Sequence, residues 1–146
     1  MQIEIKIDNS CRETKIIVVT DKMTDEINTL VKKLAGDTPQ LIAGLQRDTL
    51  KILDQHDIFR IYAANGKVYA ETKDGEYLLR LRLYELEERL DKNDFVRISN
   101  SEMINLKKVK GFDLSYTGTI CVSFLNDTVT YVSRRYVKKI KQVLGI

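Results

Sequence analysis

The sequence predicts an α+β protein, mainly antiparallel β, with two short helices and a small β-β-α unit in front. Three observations predict this class. Apolar residues mostly alternate or run in strand-length stretches. Two-residue turn signals, Asn65-Gly66 and Asp74-Gly75, separate several of these stretches. Helical spacing appears only around Ile27, Leu83 and Val137.

The elements follow in order. Ile3, Ile5 and Ile7 alternate with Glu4, Lys6 and Asp8, a half-buried strand pattern. Lys15 to Thr20 is a continuous strand-length run. Thr24 precedes Asp25 and Glu26, a helix start with acids suited to the helix dipole. Ile27, Leu30, Val31 and Leu34 form one helical face, and Gly36 with Asp37-Thr38-Pro39 stops it. Residues 1–40 thus read as a β-β-α unit for dimerisation or partner docking. Residues 41–146 read as a second domain.

In that domain Leu50–Leu53, Ile58–Tyr62, Lys67–Thr72 and Glu76–Leu81 are strand-like. Leu83, Leu86 and Leu90 mark a short amphipathic helix with Glu85, Glu87 and Glu88 outward. Phe95–Ile98 and Met103–Leu106 flank the polar segment Ser99-Asn100-Ser101-Glu102. Phe112–Tyr116 and Thr119–Leu125 pair around Thr117-Gly118, and Thr128–Val132 follows Asn126-Asp127. Ser133 then caps a last helix through Val137, Ile140 and Leu144.

Composition narrows the function. The 146 residues are about one domain's worth. At 43% hydrophobic and 31% charged, the chain can build a core. No apolar stretch approaches the ~20 residues of a membrane helix. Met1-Gln2-Ile3-Glu4 lacks a secretory pattern, and Cys11 and Cys121 have no CxxC partner. The expectation is a cytoplasmic chain with reduced thiols. The single histidine, His56, sits in a polar turn, Asp54 to Asp57. Nucleophile–histidine catalysis and a zinc site both lack residues, so no enzyme, metal or cofactor is expected.

Net charge is +3, but unevenly spread. Residues 1–45 hold six basic and seven acidic residues, and residues 46–96 hold nine and eleven. Residues 97–146 hold nine and three. Such a basic third fits a polyanion-binding face, or equally a solvated lysine-rich surface.

Two places could carry chemistry. Arg134 and Arg135 occupy the first turn of the last helix, where cations oppose the helix dipole. With the helix N–H groups they form an anion site suited to phosphate, and Lys138, Lys139 and Lys141 add charge. Ser99-Asn100-Ser101 is the second, since Asn can read adenine bidentately and Ser can reach bases or phosphates. An ordinary turn bonded to its own backbone is the other reading. Lys107, Lys108 and Lys110 lie just beyond and could hold phosphates. Tyr62, Tyr69, Tyr77, Tyr116 and Tyr131 could stack on bases but are common sheet residues. No Gly-rich phosphate loop or helix-turn-helix pattern appears.

Residues 44–146 resemble a LytTR-type DNA-binding domain. The resemblance rests on ordered segments: Ile58–Tyr62 with Asn65-Gly66-Lys67, Leu81–Leu90, Phe95–Leu106 and Val132–Lys139. It implies an elongated β-strand domain whose loops enter successive major grooves of double-stranded DNA. Carried over, Asn65 or Lys67 falls in the first DNA loop, Asn100 in the second and Arg135 in the third. Ser99-Asn100-Ser101-Glu102 stands where the family often has His-Arg-Ser-Tyr. The phospho-receiver domain is absent, as in the small stand-alone regulators of the family. The resemblance implies a bacterial transcriptional regulator, a homodimer or two copies on repeated sites. A membrane-bound inhibitor protein is among the partners it implies. The implied DNA contacts are Asn65, Lys67, Ser99, Asn100, Ser101, Lys107, Lys108, Arg134, Arg135 and Lys138. The residues alone leave a protein-interaction module and an RNA or single-strand binder as alternatives.

Overall fold

The structure, a computed structural model, describes residues 1–34 and 41–146. The chain divides into two units, Met1–Thr38 and Pro39–Ile146. In the first unit Thr24 Oγ1 accepts from the Ile27 N–H at 3.2 Å and opens helix α1 (Asp25–Leu34). The apolar face forms, yet no residue of α1 is buried. The strands expected at Ile3–Ile7 and Lys15–Thr20 carry no ladder here. Of the expected β-β-α unit only the helix is present. The reason is that two isolated strands bury too little surface to offset backbone ordering. Ile3, Ile5 and Ile7 are each at least 84% exposed. The expected stop at Gly36 to Pro39 lies outside the described residues.

The second unit is built on strand alternation, which sends successive side chains to opposite faces. Its strands are β1 (Ile42–Gln46), β2 (Thr49–Leu53), β3 (Ile58–Ala64), β4 (Lys67–Thr72) and β5 (Gly75–Leu79). Helix α2 (Leu83–Arg89) follows, then β6 (Phe95–Ser99), β7 (Glu102–Asn105), β8 (Val109–Asp113), β9 (Ile120–Phe124) and β10 (Val129–Val132). Helix α3 (Val137–Leu144) closes the chain. A seven-stranded sheet runs β2-β1-β5-β4-β3-β7-β6 and a three-stranded sheet runs β10-β9-β8. Every pairing is antiparallel.

Each face of the large sheet has its own core. Ile58, Ile61, Ala70, Phe95 and Met103 pack with Leu83, Leu86 and Leu90 of the α2 region. Phe59, Val96, Ile98 and Ile104 pack with Ile120, Val122 and Phe124 of the small sheet and Ile140 of α3. Strands β3, β6 and β7 are therefore covered on both sides, which fixes their register and the turns at their ends.

Several elements differ from the sequence reading. Strand β1 is additional: Gly44 interrupts its apolar pattern but is needed for close approach. A Cβ there would lie 2.7 Å from Tyr77 Cβ and 2.8 Å from Leu53 Cδ1. The second hairpin turns at Lys73-Asp74, because Thr72 pairs with Gly75 and Gly75 adopts φ +108°. Strand β8 starts earlier than Phe112 and ends at Asp113 rather than Tyr116, so residues 114–119 form a longer loop. The last helix opens as a 3-10 turn, Arg134–Tyr136, and the Ser133 side chain makes no cap bond. His56 lies in a 3-10 turn, as its polar setting suggested.

Candidate functional site

Register brings three loops to one end of the second unit. Strands β3 and β7 run antiparallel with Tyr62 opposite Glu102. The end of β3 thus lies beside the start of β7, and the Ala63 N–H donates to the Ser101 carbonyl at 2.7 Å. Just beyond are the two turns. Asn65 and Gly66 adopt φ +54° and +75°, the left-handed pair that a tight hairpin requires. Asn100 and Ser101 join β6 to β7. The Ser133 N–H donates to the Ile98 carbonyl at 2.8 Å, which seats the chain before α3 against the end of β6.

The β6–β7 turn is held from three directions. Ser101 N–H donates to Ser99 Oγ at 3.1 Å. Arg97 folds over the turn, donating from Nε to the Ser99 carbonyl (3.1 Å) and from Nη2 to the Asn100 carbonyl (2.8 Å). Its Nη1 pairs with Glu87 of α2 at 3.2 Å. From the other side Tyr136 Oη donates to Asn100 Oδ1 at 3.1 Å. Arg134 lies beside Gly118 of the β8–β9 loop, where a Cβ would sit 3.6 Å from Arg134 Nε.

The electrostatics are one-sided. Lys67, Arg134, Arg135 and Lys138 are exposed, and among the described residues none joins an ion pair. Glu102 is withdrawn from this surface although it follows Ser101. Its Oε1 pairs with Arg60 Nη1 at 3.4 Å, and Arg60 also binds Glu71. Burial pushes the Glu102 carboxyl above its ordinary range, against the pull of Thr130 and Arg60.

The expected site residues are thus partly assembled. Ser99, Asn100, Ser101, Arg134 and Arg135 come together, and the Asn65–Lys67 hairpin lies at the same end of the sheet. Lys138 extends the group along α3. Lys107 and Lys108 lie beyond the far end of β7, about 13 Å along a four-residue strand at ~3.3 Å per residue. Lys107 Nζ is 3.6 Å from Asp94 and Lys108 Nζ stands 5.3 Å over the Phe59 ring. Arg97 and Tyr136 were missed by sequence reasoning. An arginine facing out of a strand and a tyrosine after Arg135 gave no distinguishing signal. Of the candidate tyrosines Tyr77 is core and Tyr62 stacks on Tyr69 at 5.6 Å while donating to Glu76, whereas Tyr116 and Tyr131 are exposed and meet edge to face at 5.8 Å.

Among the described residues no group of His, Cys, Asp and Glu is placed to hold a metal, and no helix is long and apolar enough to cross a membrane.

Comparison with known proteins adds independent findings. The model of the LytTR DNA-binding domain family matches residues 48–145. Proteins of Staphylococcus aureus named uncharacterized HTH-type transcriptional regulators align with the whole chain. That of strain NCTC 8325 is 31% identical over 147 residues, and that of strain MRSA252 is 30% identical. Each alignment covers 100% of this chain and 99% of the relative. A solved LytTR DNA-binding domain of a methyl-accepting/DNA response regulator from Bacillus cereus superimposes with TM-score 0.70 at 21% identity. It covers 73% of this chain and 97% of its own. The relatives' name points to a helix-turn-helix, whereas here five strands separate α2 from α3.

Proposed function

The chain belongs to the LytTR DNA-binding domain family, and on that premise we propose that it regulates transcription by reading double-stranded DNA with major-groove loops. The observation that carries this is the meeting of the β6–β7 turn with the start of α3, beside cations that join no ion pair among the described residues. Asn100 offers a side-chain amide for a base edge, and Arg135 a fork that fits guanine O6 and N7. Lys67 and Asn65 enter a neighbouring groove on a rigid hairpin. Arg134 and Lys138 hold phosphates, which fix the protein's position on the duplex. Lys107 and Lys108 reach only backbone outside this cluster. The protein acts in the cytoplasm as a homodimer or as two copies on repeated sites, and a membrane-bound inhibitor protein is a further partner. The exposed apolar residues of the first unit support such docking.

Titration against duplex and single-stranded DNA of the same sequence at several salt concentrations tests the proposal. Binding that prefers duplex and weakens steeply with salt supports it. Equal affinity for single strands, or binding indifferent to salt, would overturn it.

A further inference from the structure

Asn100 has two faces for a base edge, an accepting Oδ1 and a donating Nδ2. Bidentate adenine recognition uses both, Oδ1 for the N6 amino group and Nδ2 for N7. In this protein Oδ1 already accepts the Tyr136 hydroxyl at 3.1 Å. That hydroxyl is not free to wander. The Tyr136 ring packs against the core formed by Phe59, Ile98 and Ile140. The backbone beneath Asn100 is also fixed, because Arg97 donates to the Ser99 and Asn100 carbonyls and is itself anchored on Glu87. With the turn clamped and Oδ1 engaged by Tyr136, the Nδ2 N–H groups of Asn100 are left without a hydrogen-bond partner among the described residues.

We infer that Asn100 reads DNA as a hydrogen-bond donor, and that Tyr136 is the positioning residue that makes it one. This rests on the placement of the β6–β7 turn in the major groove. A donor facing the groove matches a base edge made of acceptors, so guanine, with O6 and N7, is preferred over adenine at the base that Asn100 touches. Cytosine, which presents an amino donor, is rejected. The helix start thereby sets the chemistry of a different loop, and the residue after Arg135 contributes to specificity without touching DNA.

The test uses the full chain and duplexes selected from a randomised library, with each position then carrying all four base pairs. Wild type, Asn100→Ala and Tyr136→Phe are compared. The base pair whose discrimination disappears in Asn100→Ala is the one Asn100 reads. At that pair wild type should favour guanine over adenine by about fivefold or more, the lower end of ~1–3 kcal/mol for base discrimination. Inosine, which keeps O6 and N7, should bind like guanine, and 7-deazaguanine should bind less well. Tyr136→Phe keeps the ring and releases Oδ1, so adenine should rise to parity with guanine or above. A purely structural role for Tyr136 would instead lower affinity for all four bases alike, and that result overturns the inference. An Asn100-dependent preference for adenine in wild type overturns it while leaving the major-groove proposal standing. Equal losses for Asn100→Ala on selected and random duplexes would make Asn100 a backbone contact and overturn the inference.

Discussion

Asn100 and Arg135 differ from their neighbours in what they leave exposed. Asn100 keeps an amide at the tip of a clamped turn, and Arg135 keeps a guanidinium with no acidic partner among the described residues. Asn100→Ala and Arg135→Ala should each cost more on the specific site than on random duplex. A good bidentate contact is worth ~1–3 kcal/mol of discrimination, with the Arg135 loss at the upper end if it spans both guanine acceptors. Equal losses on both DNAs would reduce these residues to backbone contacts. Arg97 works at one remove. Arg97→Ala removes both donors from the turn carbonyls and should weaken specific binding while random-duplex affinity stays close to wild type. Gly44 is a matter of stability. A methyl group there meets Tyr77 and Leu53 inside contact distance, and overpacking of this kind costs ~1–3 kcal/mol. A lower urea midpoint for Gly44→Ala, with DNA binding retained below the transition, checks it. An unchanged midpoint would mean that β1 can shift freely.

At the scale of elements, β7 separates two groups of cations. Arg134 and Lys138 belong to the start of α3, which meets the β6–β7 turn, whereas Lys107 and Lys108 lie beyond the other end of the strand and already engage Asp94 and Phe59. Removing Arg134 and Lys138 together should reduce the log–log salt slope by ~0.9 for each lost phosphate contact. Lys107→Ala with Lys108→Ala should change the slope less, and a larger change from that pair would place DNA along the β8 side. What was legible in the sequence follows the same local logic. Asn65-Gly66 announced its hairpin because few residues accept two successive left-handed positions. Leu83, Leu86 and Leu90 announced a helix face, and all three are core. Strand β1 stayed hidden because its requirement is a close approach to Tyr77, a residue 33 positions away. Asn100 and Arg135 stood out as residue types in odd places. Arg97 and Tyr136 did not, because their roles depend on Glu87 and Asn100, and the Tyr136–Asn100 contact spans 36 residues.

The whole molecule joins a two-core DNA-binding unit to a first unit that has little core of its own. Ile3, Ile5 and Ile7 are exposed, as are Val31 and Leu34 of α1, while Ile27 and Leu30 are half-buried, which leaves apolar surface for the proposed docking. A chain starting at Gln40 should therefore lose self-association in light scattering and lose cooperative binding to paired sites spaced by whole turns, ~10–10.5 bp or multiples. Retention of both would assign the first unit another role. Loops of the second unit lying in the major groove, as proposed, would shield it from chemical attack, and this is read on a bound site. Dimethyl sulfate methylates guanine N7 in the major groove and adenine N3 in the minor groove. Saturating protein should protect guanine N7 in neighbouring major grooves on one face of the duplex, and Arg135→Ala should restore reactivity at one of them. Protection confined to adenine N3, or no N7 protection at saturation, would contradict the proposal.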